Sequence, residues 1–355
     1  FTICWQYDEN DEFNKDFEDL VKKEKKAKFN VIKVPHFESK GTCWARAEIQ
    51  QHYKNEKYTL QLDSHHRFVK NWDTKCIKMY ENLKANGSKK PLLTAYIPEY
   101  NPENDPAGRA TSPWKLNFDR FIPEGAVFFL PASIDNHKKL KGPIRSRFLS
   151  AHFIFTQGKW VEEVPYDPNY FFHGEEISMA ARSHTHGYDL YHPHIIVCHH
   201  EYTRKGRTKF WDDHTGVAKA EKLIDTDWAE RNSDCHLRNR KLFEMDGLER
   251  DIDFGPYGFG TERTLEDYER YAGINFKKRG VQQYTLENKE PPGPAIDDPE
   301  EYENSFSSIF KHYIDVQKST LAEGDYNCIV VAFEDKDGKE LFRKDADEGE
   351  ISSLF

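Results

Sequence analysis

The sequence predicts an α/β protein built on a doubly wound, mostly parallel sheet. β-Prone runs alternate with runs of helical periodicity through the first 62 residues, the rhythm of strands joined by helical crossovers. The apolar run 58–62 also ends abruptly in the polar triplet Asp63-Ser64-His65. Open α/β sheets hold their ligands just beyond the carboxyl ends of strands, so this triplet stands where such a fold carries a site.

Local patterns place the first elements. Residues 1–7 are apolar and β-prone, and the charged segment 8–28 has apolar residues at helical spacing. A second strand is predicted at 29–34 and a helix at 43–53, which leads into the strand at 58–62. The order is therefore strand, helix, strand, helix, strand.

The alternation continues beyond the triplet. Residues 72–85 have helical periodicity and 92–97 read as a strand, whereas 101–113 are rich in Asn, Asp, Pro and Gly and predict a loop. Two further strands are predicted at 126–130 and 148–156.

Three segments are predicted in the second half of the chain: a helix and strand, a linker, and a β-hairpin appendage. A helix is predicted to begin after Gly174, and a short strand follows at 195–198. Residues 287–311 predict an acidic, Pro-rich linker with a helix. Residues 312–355 predict a small β-hairpin appendage with a turn at 335–338.

Composition excludes several classes of protein. Lys and Arg number 51 against 61 acidic residues, and the net charge of -10 with a pI near 5.9 argues against a broad nucleic-acid or anionic-membrane surface. A phosphate-bearing ligand must then be held by a local pocket or a metal. The six cysteines include no C-x-x-C pair, which favours a reducing, cytoplasmic location. No apolar run approaches the ~20 residues of a membrane span, and no signal-peptide pattern opens the chain.

The polar triplet has the chemistry of a metal site. Asp63 and His65 are two residues apart, so their side chains can converge on one cation if the chain turns there. A carboxylate with an imidazole suits an ion such as Mn²⁺ better than Ca²⁺, which prefers oxygen ligands. The strand at 195–198 also ends in histidine, at His199-His200. The alternative is a turn residue beside a histidine satisfied by its neighbours.

Two acidic residues open the helix after Gly174. Glu175 and Glu176 would be favoured there by the helix dipole, which is a structural explanation for both. The functional alternative is a pair of carboxylates that line a pocket. Gly174, which lacks a side chain, would then let a ligand approach the backbone.

Six ordered motifs between Phe1 and about Lys278 carry a family resemblance: Ala45-Arg46-Ala47-Glu48, Tyr58 to His65, Pro165-Tyr166-Asp167-Pro168, Gly174-Glu175-Glu176-Ile177, Tyr257 to Leu265, and Tyr271 to Phe276. Together they resemble the UDP-GlcNAc-dependent GlcNAc-transferase family. That family includes cytosolic protist enzymes that modify hydroxyproline on an F-box ubiquitin-ligase adaptor, and bacterial relatives. It is similar to the retaining polypeptide GalNAc-transferases.

The resemblance implies a fold, a donor and a metal. It implies a GT-A fold over residues 1–286, UDP-GlcNAc as donor, and Mn²⁺ or Mg²⁺ as cofactor. By the same resemblance Asp63 and His65 hold the metal and with it the donor diphosphate, and His199 completes the protein ligands, with the adjacent His200 as the alternative. The acceptor would be a hydroxyl group of a protein, such as hydroxyproline, or of a glycan.

Further roles are implied around the donor. Arg46 matches an arginine that faces the donor, and Glu175 and Glu176 match an acidic segment that faces the sugar and would act in catalysis. Independently of the resemblance, Arg204 or Lys205, on the loop after His199, offers a cation for the diphosphate.

One departure from the family concerns the start of the chain. Members usually open with a strand carrying a Ser-x-x-Ser-Tyr-Arg-Asp-like segment that contacts the uracil. This sequence begins after that point, so the domain at 1–286 is expected to lack its first strand.

Two other classes of function fit some of the same residues. Two histidines and one carboxylate also describe the facial triad of a non-haem Fe(II) oxygenase, although that fold consists of many antiparallel strands and lacks this strand-helix alternation. A non-catalytic carbohydrate-binding module is the third possibility. Transfer or hydrolysis of a UDP-sugar separates an enzyme from such a module.

Overall fold

The computed structural model describes residues 1–203, 208–309, 329–334 and 340–346. Contacts divide the chain into two units, Phe1–Phe310 and Lys311–Phe355. The first unit mixes α and β elements, and the described part of the second consists of two strands.

The described strands are β1 (Thr2–Tyr7), β2 (Asn30–Pro35), β3 (Tyr58–Leu62), β4 (His66–Phe68), β5 (Pro91–Thr94), β6 (Trp114–Phe121), β7 (Val127–Ser133), β8 (Ile144–Arg145), β9 (Phe153–Gln157), β10 (Asp189–His192), β11 (Cys198–His200), β12 (Ile274–Asn275), β13 (Gly280–Gln282), β14 (Phe306–Ser308), β15 (Ile329–Glu334) and β16 (Glu340–Ala346). The described helices are α1 (Asn14–Lys23), α2 (Thr42–Gln50), α3 (Trp72–Ala85), α4 (Trp160–Glu163), α5 (Glu175–Thr185), α6 (Phe210–Asp213), α7 (Gly216–Ala220), α8 (Trp228–Leu242), α9 (Leu265–Ala272), α10 (Gln283–Leu286) and α11 (Pro299–Asn304).

The strand-helix alternation predicted for the start of the chain is present from β1 to α3. The helix α3 ends where predicted, because Gly87 adopts a positive φ of 101° and its N–H bonds to the Lys84 carbonyl. The pair β1–β2 is parallel but forms a sheet of its own, with α1 between the two strands in sequence.

The central sheet is mixed, which corrects the predicted mostly parallel arrangement. Its order is β3-β9-β5-β10-β8. β5 and β10 pair in parallel, whereas β9 pairs antiparallel with both β3 and β5, and β8 pairs antiparallel with β10. β3, β5 and β10 therefore share one direction, which β8 and β9 oppose.

The position of β9 between β3 and β5 explains why the predicted, mostly parallel arrangement was wrong. A helical crossover constrains the next strand to run parallel, but β9 is reached through the antiparallel hairpin β6–β7 and irregular chain. Nothing in the local pattern of residues 148–156 indicates the direction of the strand. The partner strand β6 was not predicted either, although Trp114, Leu116 and Phe118 alternate along it.

The sheet has an apolar core on each face. Phe153 and Phe155 of β9 belong to one buried cluster together with Met79 of α3. The intervening Ile154 belongs to the other cluster, together with Ile177 of α5. Alternate residues of β9 thus bury opposite faces, and the two helices cover the sheet on its two sides.

The predicted linker is part of the first unit as far as it is described. β14 pairs with β13, and Tyr302 of α11 is buried. The Asn288 carbonyl also accepts a bond of 3.1 Å from the Lys115 ammonium group. The acidic, Pro-rich composition predicted a linker with a helix, and these contacts join the described part of that segment to the first unit.

The second unit contains an antiparallel pair. β15 and β16 pair from Ile329 opposite Ala346 onward. The predicted turn at 335–338 lies outside the described residues. Within the described parts of both units, no helix has the length and apolar character needed to span a membrane.

Candidate metal centre

Three metal-capable side chains converge at the carboxyl edge of the central sheet. Asp63 and His65 lie in the turn after β3, and His200 ends β11. One potential ligand atom of each lies within 4.8 Å of those of the other two. The topology explains the convergence, because β4 follows the turn and pairs with β11, with His66 opposite His200.

The third member of this cluster is His200, and not the predicted His199. Successive side chains of a strand point to opposite faces, so only one of these neighbours can face Asp63. His200 Nε2 lies 3.7 Å from Asp63 Oδ2. His199 turns away, and its Nε2 lies 3.0 Å from the Ala110 carbonyl oxygen.

The donor set fits a divalent ion. Among the described residues, neither buried ring nitrogen of His200 has a hydrogen-bond partner, although buried polar atoms usually have one. A carboxylate with two imidazoles suits ions such as Mn²⁺ or Fe²⁺ and does not suit Ca²⁺. The orphaned imidazole and the adjacent carboxylate together have the chemistry of metal ligands.

Arg46 of α2 holds one oxygen of the Asp63 carboxylate. Arg46 Nη2 donates to Asp63 Oδ1 at 2.7 Å. The other oxygen, Oδ2, lies 3.9 Å from His65 Nε2 and 3.7 Å from His200 Nε2. Burial alone would raise the pKa of Asp63, but His200 and the charge of Arg46 outweigh it and hold that pKa well below its usual value. Asp63 is therefore an anion at neutral pH with one oxygen facing the histidines.

Glu175, the first residue of α5, pairs with the other side of the same arginine. Arg46 Nη1 donates to Glu175 Oε1, and the Glu175 side chain is only 5% exposed. The sequence suggested that Gly174 leaves room for a ligand. Gly174 instead has a positive φ of 83°, and a Cβ there would lie 2.9 Å from the Asn239 side chain. The space beside Gly174 is filled by Asn239 of α8.

Glu176 has different partners and is less buried than Glu175. The Ala151 N–H donates to its Oε1 at 3.0 Å, and the Tyr96 hydroxyl donates to its Oε2 at 3.1 Å. Burial, with a contribution from the nearby Glu175, raises the pKa of Glu176 to about 7. The two adjacent carboxylates of α5 thus lie in separate networks.

Sequence reasoning missed a histidine behind the cluster. The ring of His152, just before β9, lies 4.5 Å from the His200 ring. Its Nε2 accepts from the Ile97 N–H at 3.1 Å, so Nδ1 carries the proton and faces Ser150 Oγ at 3.0 Å. Burial lowers the pKa of His152 well below its usual value, and the neutral ring forms a wall of the site. Its position depends on the direction of β9, which the sequence does not show.

His66 and Tyr202 complete the surroundings of His200. Their rings lie 4.8 Å and 4.2 Å from the His200 ring. His66 Nδ1 donates to the Asp63 carbonyl at 3.0 Å, which fixes the turn that carries the cluster. The predicted phosphate contact Arg204 lies outside the described residues, so the structure gives it no position.

Comparison with known proteins gives the class of the chain. Residues 2–278 match the model of the family described as Glycosyltransferase (GlcNAc). This match covers most of the chain, including Arg46, the candidate metal ligands Asp63, His65 and His200, and α5. The chain belongs to this glycosyltransferase family.

Two further comparisons are less informative. The chain is similar to the crystal structure of GalNAc-T7 with UDP, GalNAc and Mn²⁺, with a TM-score of 0.45 and 13% identity, over 76% of this chain and 48% of that chain. The chain thus spans about half the length of that protein. No curated protein matches the sequence.

Proposed function

We propose that the chain is a metal-dependent, retaining glycosyltransferase that moves GlcNAc from UDP-GlcNAc to a hydroxyl group. The observation that carries the proposal is the cluster of Asp63, His65 and His200 in a chain of a glycosyltransferase family. The family description supports GlcNAc as the sugar. The acceptor is a hydroxyl of a protein, such as hydroxyproline, or of a glycan, and we propose that the protein acts in the cytoplasm like the protist enzymes it resembles.

The charge of the leaving group explains the need for the cluster. Breaking the bond between the sugar and the diphosphate leaves negative charge on the departing oxygen, which a bound Mn²⁺ or Mg²⁺ neutralises as a Lewis acid. Asp63, His65 and His200 would hold that ion, and Arg46 keeps Asp63 oriented. With a net charge of -10, the chain itself offers no general attraction for phosphate.

The contacts of α5 argue against a covalent intermediate on either of its acidic residues. Glu175 is engaged by Arg46, and Glu176 by the Ala151 N–H and the Tyr96 hydroxyl. We propose that the acceptor oxygen bonds to the anomeric carbon on the side from which the diphosphate leaves, and that its proton passes to a phosphate oxygen. Glu176, the less buried of the two, is the acidic group proposed to face the sugar.

The alternative functions are less well supported. The donor set alone would also suit the Fe(II) of an oxygenase. Membership of a glycosyltransferase family favours the transferase over that reading, and over a binding module without activity.

A panel of UDP-sugars tests the proposed reaction. UDP-GlcNAc with Mn²⁺ should be hydrolysed or transferred faster than UDP-GalNAc, UDP-Glc and UDP-Gal, and excess chelator should abolish turnover because the diphosphate charge is then unbalanced. Asp63→Ala should lose turnover while its circular dichroism stays unchanged. A clear preference for another sugar would reject the donor assignment, and full turnover in chelator would reject the metal.

A further inference from the structure

Arg46 lies between two carboxylates that come from distant parts of the chain. We infer that Glu175 is a positioning residue, which acts through Arg46 on the proposed metal ligand Asp63 and does not itself face the donor sugar. This inference rests on the proposed function, because it assumes that Asp63 holds an ion. It assigns to Glu175 a task different from the one that its motif suggests.

The geometry ties the three side chains together. One terminal nitrogen of Arg46 donates to Glu175 and the other to Asp63. Because the guanidinium group is rigid and planar, a shift that changes the length of one bond also changes the other. The Arg46 side chain is 9% exposed and that of Glu175 5%, which leaves the pair little contact with water. The Tyr166 ring lies 5.6 Å from the guanidinium carbon, and Gln61 donates to the Tyr166 hydroxyl at 2.6 Å. These contacts fix the plane of the guanidinium fork.

The charge balance gives Glu175 its effect. Arg46 shares its one positive charge between Glu175 and Asp63, so part of the Asp63 charge is left for the two histidines and the ion. Without the Glu175 charge, the full positive charge of Arg46 would be balanced by Asp63 alone. A cation would then meet a carboxylate already paired with Arg46, and its affinity would fall.

Glu176 provides a matched control. It is the next residue of the same helix, and its carboxylate binds the Ala151 N–H and the Tyr96 hydroxyl. No described contact joins Glu176 to Arg46 or Asp63. Changing it to Gln replaces the adjacent carboxyl group of α5 by the same amide and leaves the contacts of Arg46 with Glu175 and Asp63 in place.

The test is the affinity of the chain for Mn²⁺ alone, measured by calorimetry without nucleotide. Glu175→Gln should raise the Kd for Mn²⁺ by about tenfold or more, as loss of an outer-shell partner commonly does. Glu176→Gln should leave the Kd within about twofold of the wild-type value, because it does not contact the first or second shell. In an Arg46→Gln background, Glu175→Gln should have no further effect, because the group through which it acts is gone.

A second variant covers the case in which Glu175→Gln does not fold. Arg46→Lys keeps the charge, but a single ammonium group cannot bridge both carboxylates as the fork does. It should weaken Mn²⁺ binding in a protein with unchanged circular dichroism.

The outcomes are separable. Wild-type Mn²⁺ affinity in Glu175→Gln, or in Arg46→Lys, would overturn the inference alone, as would an equal loss from Glu175→Gln with and without Arg46. Absence of Mn²⁺ binding by the wild-type chain would overturn the proposed function, and the inference with it.

Discussion

At the scale of single residues, the site is defined by which polar atoms are already engaged. One oxygen of Asp63 is bound by Arg46, while the ring nitrogens of His200 have no hydrogen-bond partner within the described part of the chain. His199 and His152 look equally suitable by residue type, but His199 Nε2 is engaged by the Ala110 carbonyl, and the two ring nitrogens of His152 are engaged by Ile97 and Ser150. The residue type shows which side chains have ligand atoms, and the existing hydrogen bonds show which of those atoms are already engaged.

Glu176 gives a prediction about stability and pH. Burial raises its pKa to about 7 from an ordinary value of 4.5. The folded chain then binds this proton more tightly than the unfolded chain, so the contribution of Glu176 favours folding at low pH and is lost as the pH rises from about 4.5 to about 7. Glu176→Gln removes the titrating group. Relative to wild type, the free energy of unfolding of the variant should rise by about 3 kcal/mol between pH 4 and pH 8.

Urea unfolding of both proteins at several pH values checks this. Taking the difference between the two proteins removes the contribution of Glu269, whose pKa burial also raises to about 7. A stability difference that stays constant across the range would show that Glu176 is ionised with an ordinary pKa in the folded chain.

The sequence predicted some of these residues for a clear reason and missed others. Asp63 and His65 stand two residues apart after a strand, so their proximity is local and visible. The choice between His199 and His200 depends on the pairing of β11 with β4, which two adjacent histidines cannot reveal. The contact of Arg46 with Glu175 joins residues 129 positions apart and exists only in the folded chain.

At the scale of elements, the placement of α5 depends on its first turn. Gly174 directly precedes the helix. It adopts the left-handed backbone conformation and packs against Asn239 of α8. Asn239 is fully buried and cannot move aside, since its amide donates to the Gly125 carbonyl and its carbonyl accepts from the Tyr170 hydroxyl. This contact sets the position of Glu175 and Glu176 relative to the sheet.

Gly174→Ala therefore has two costs, and Gly247→Ala is its control. Gly247 has a similar φ of 74°, but a Cβ there meets nothing within 4 Å. Both changes should lower the free energy of unfolding by about 1–2 kcal/mol, because alanine disfavours the left-handed conformation. Gly174→Ala should lower the free energy of unfolding by roughly 1–3 kcal/mol more, because the added Cβ would press against the Asn239 side chain.

Chemical unfolding of the two variants measures the difference. Equal losses of stability would mean that the packing between α5 and α8 is looser than these contacts indicate.

The direction of β9 is another feature that local sequence patterns could not predict, because its neighbours β3 and β5 belong to remote segments of the chain.

At the scale of the whole molecule, the arrangement of the sheet explains why one edge carries the chemistry. β3 and β5 end at this edge and the antiparallel β9 begins there, so Asp63, His65 and His152 meet although 87 residues separate the last two. The predicted class of fold, with helices over both faces of a sheet, agrees in general terms with the position of the candidate site beyond the end of β3. The mixed strand directions add the histidine wall that a purely parallel sheet would not provide.

We propose above that His200, with Asp63 and His65, holds a divalent ion that binds the nucleotide diphosphate. Calorimetry of UDP binding in the presence of Mn²⁺ tests it in His200→Gln and in His199→Gln. Gln cannot replace an imidazole ligand facing the ion, whereas at His199 its amide can still donate to the Ala110 carbonyl. We predict that His200→Gln weakens Mn²⁺-dependent UDP binding by about tenfold or more and that His199→Gln stays near the wild-type affinity. The reverse pattern, or equal UDP affinity of the wild-type chain in excess chelator, would contradict the account.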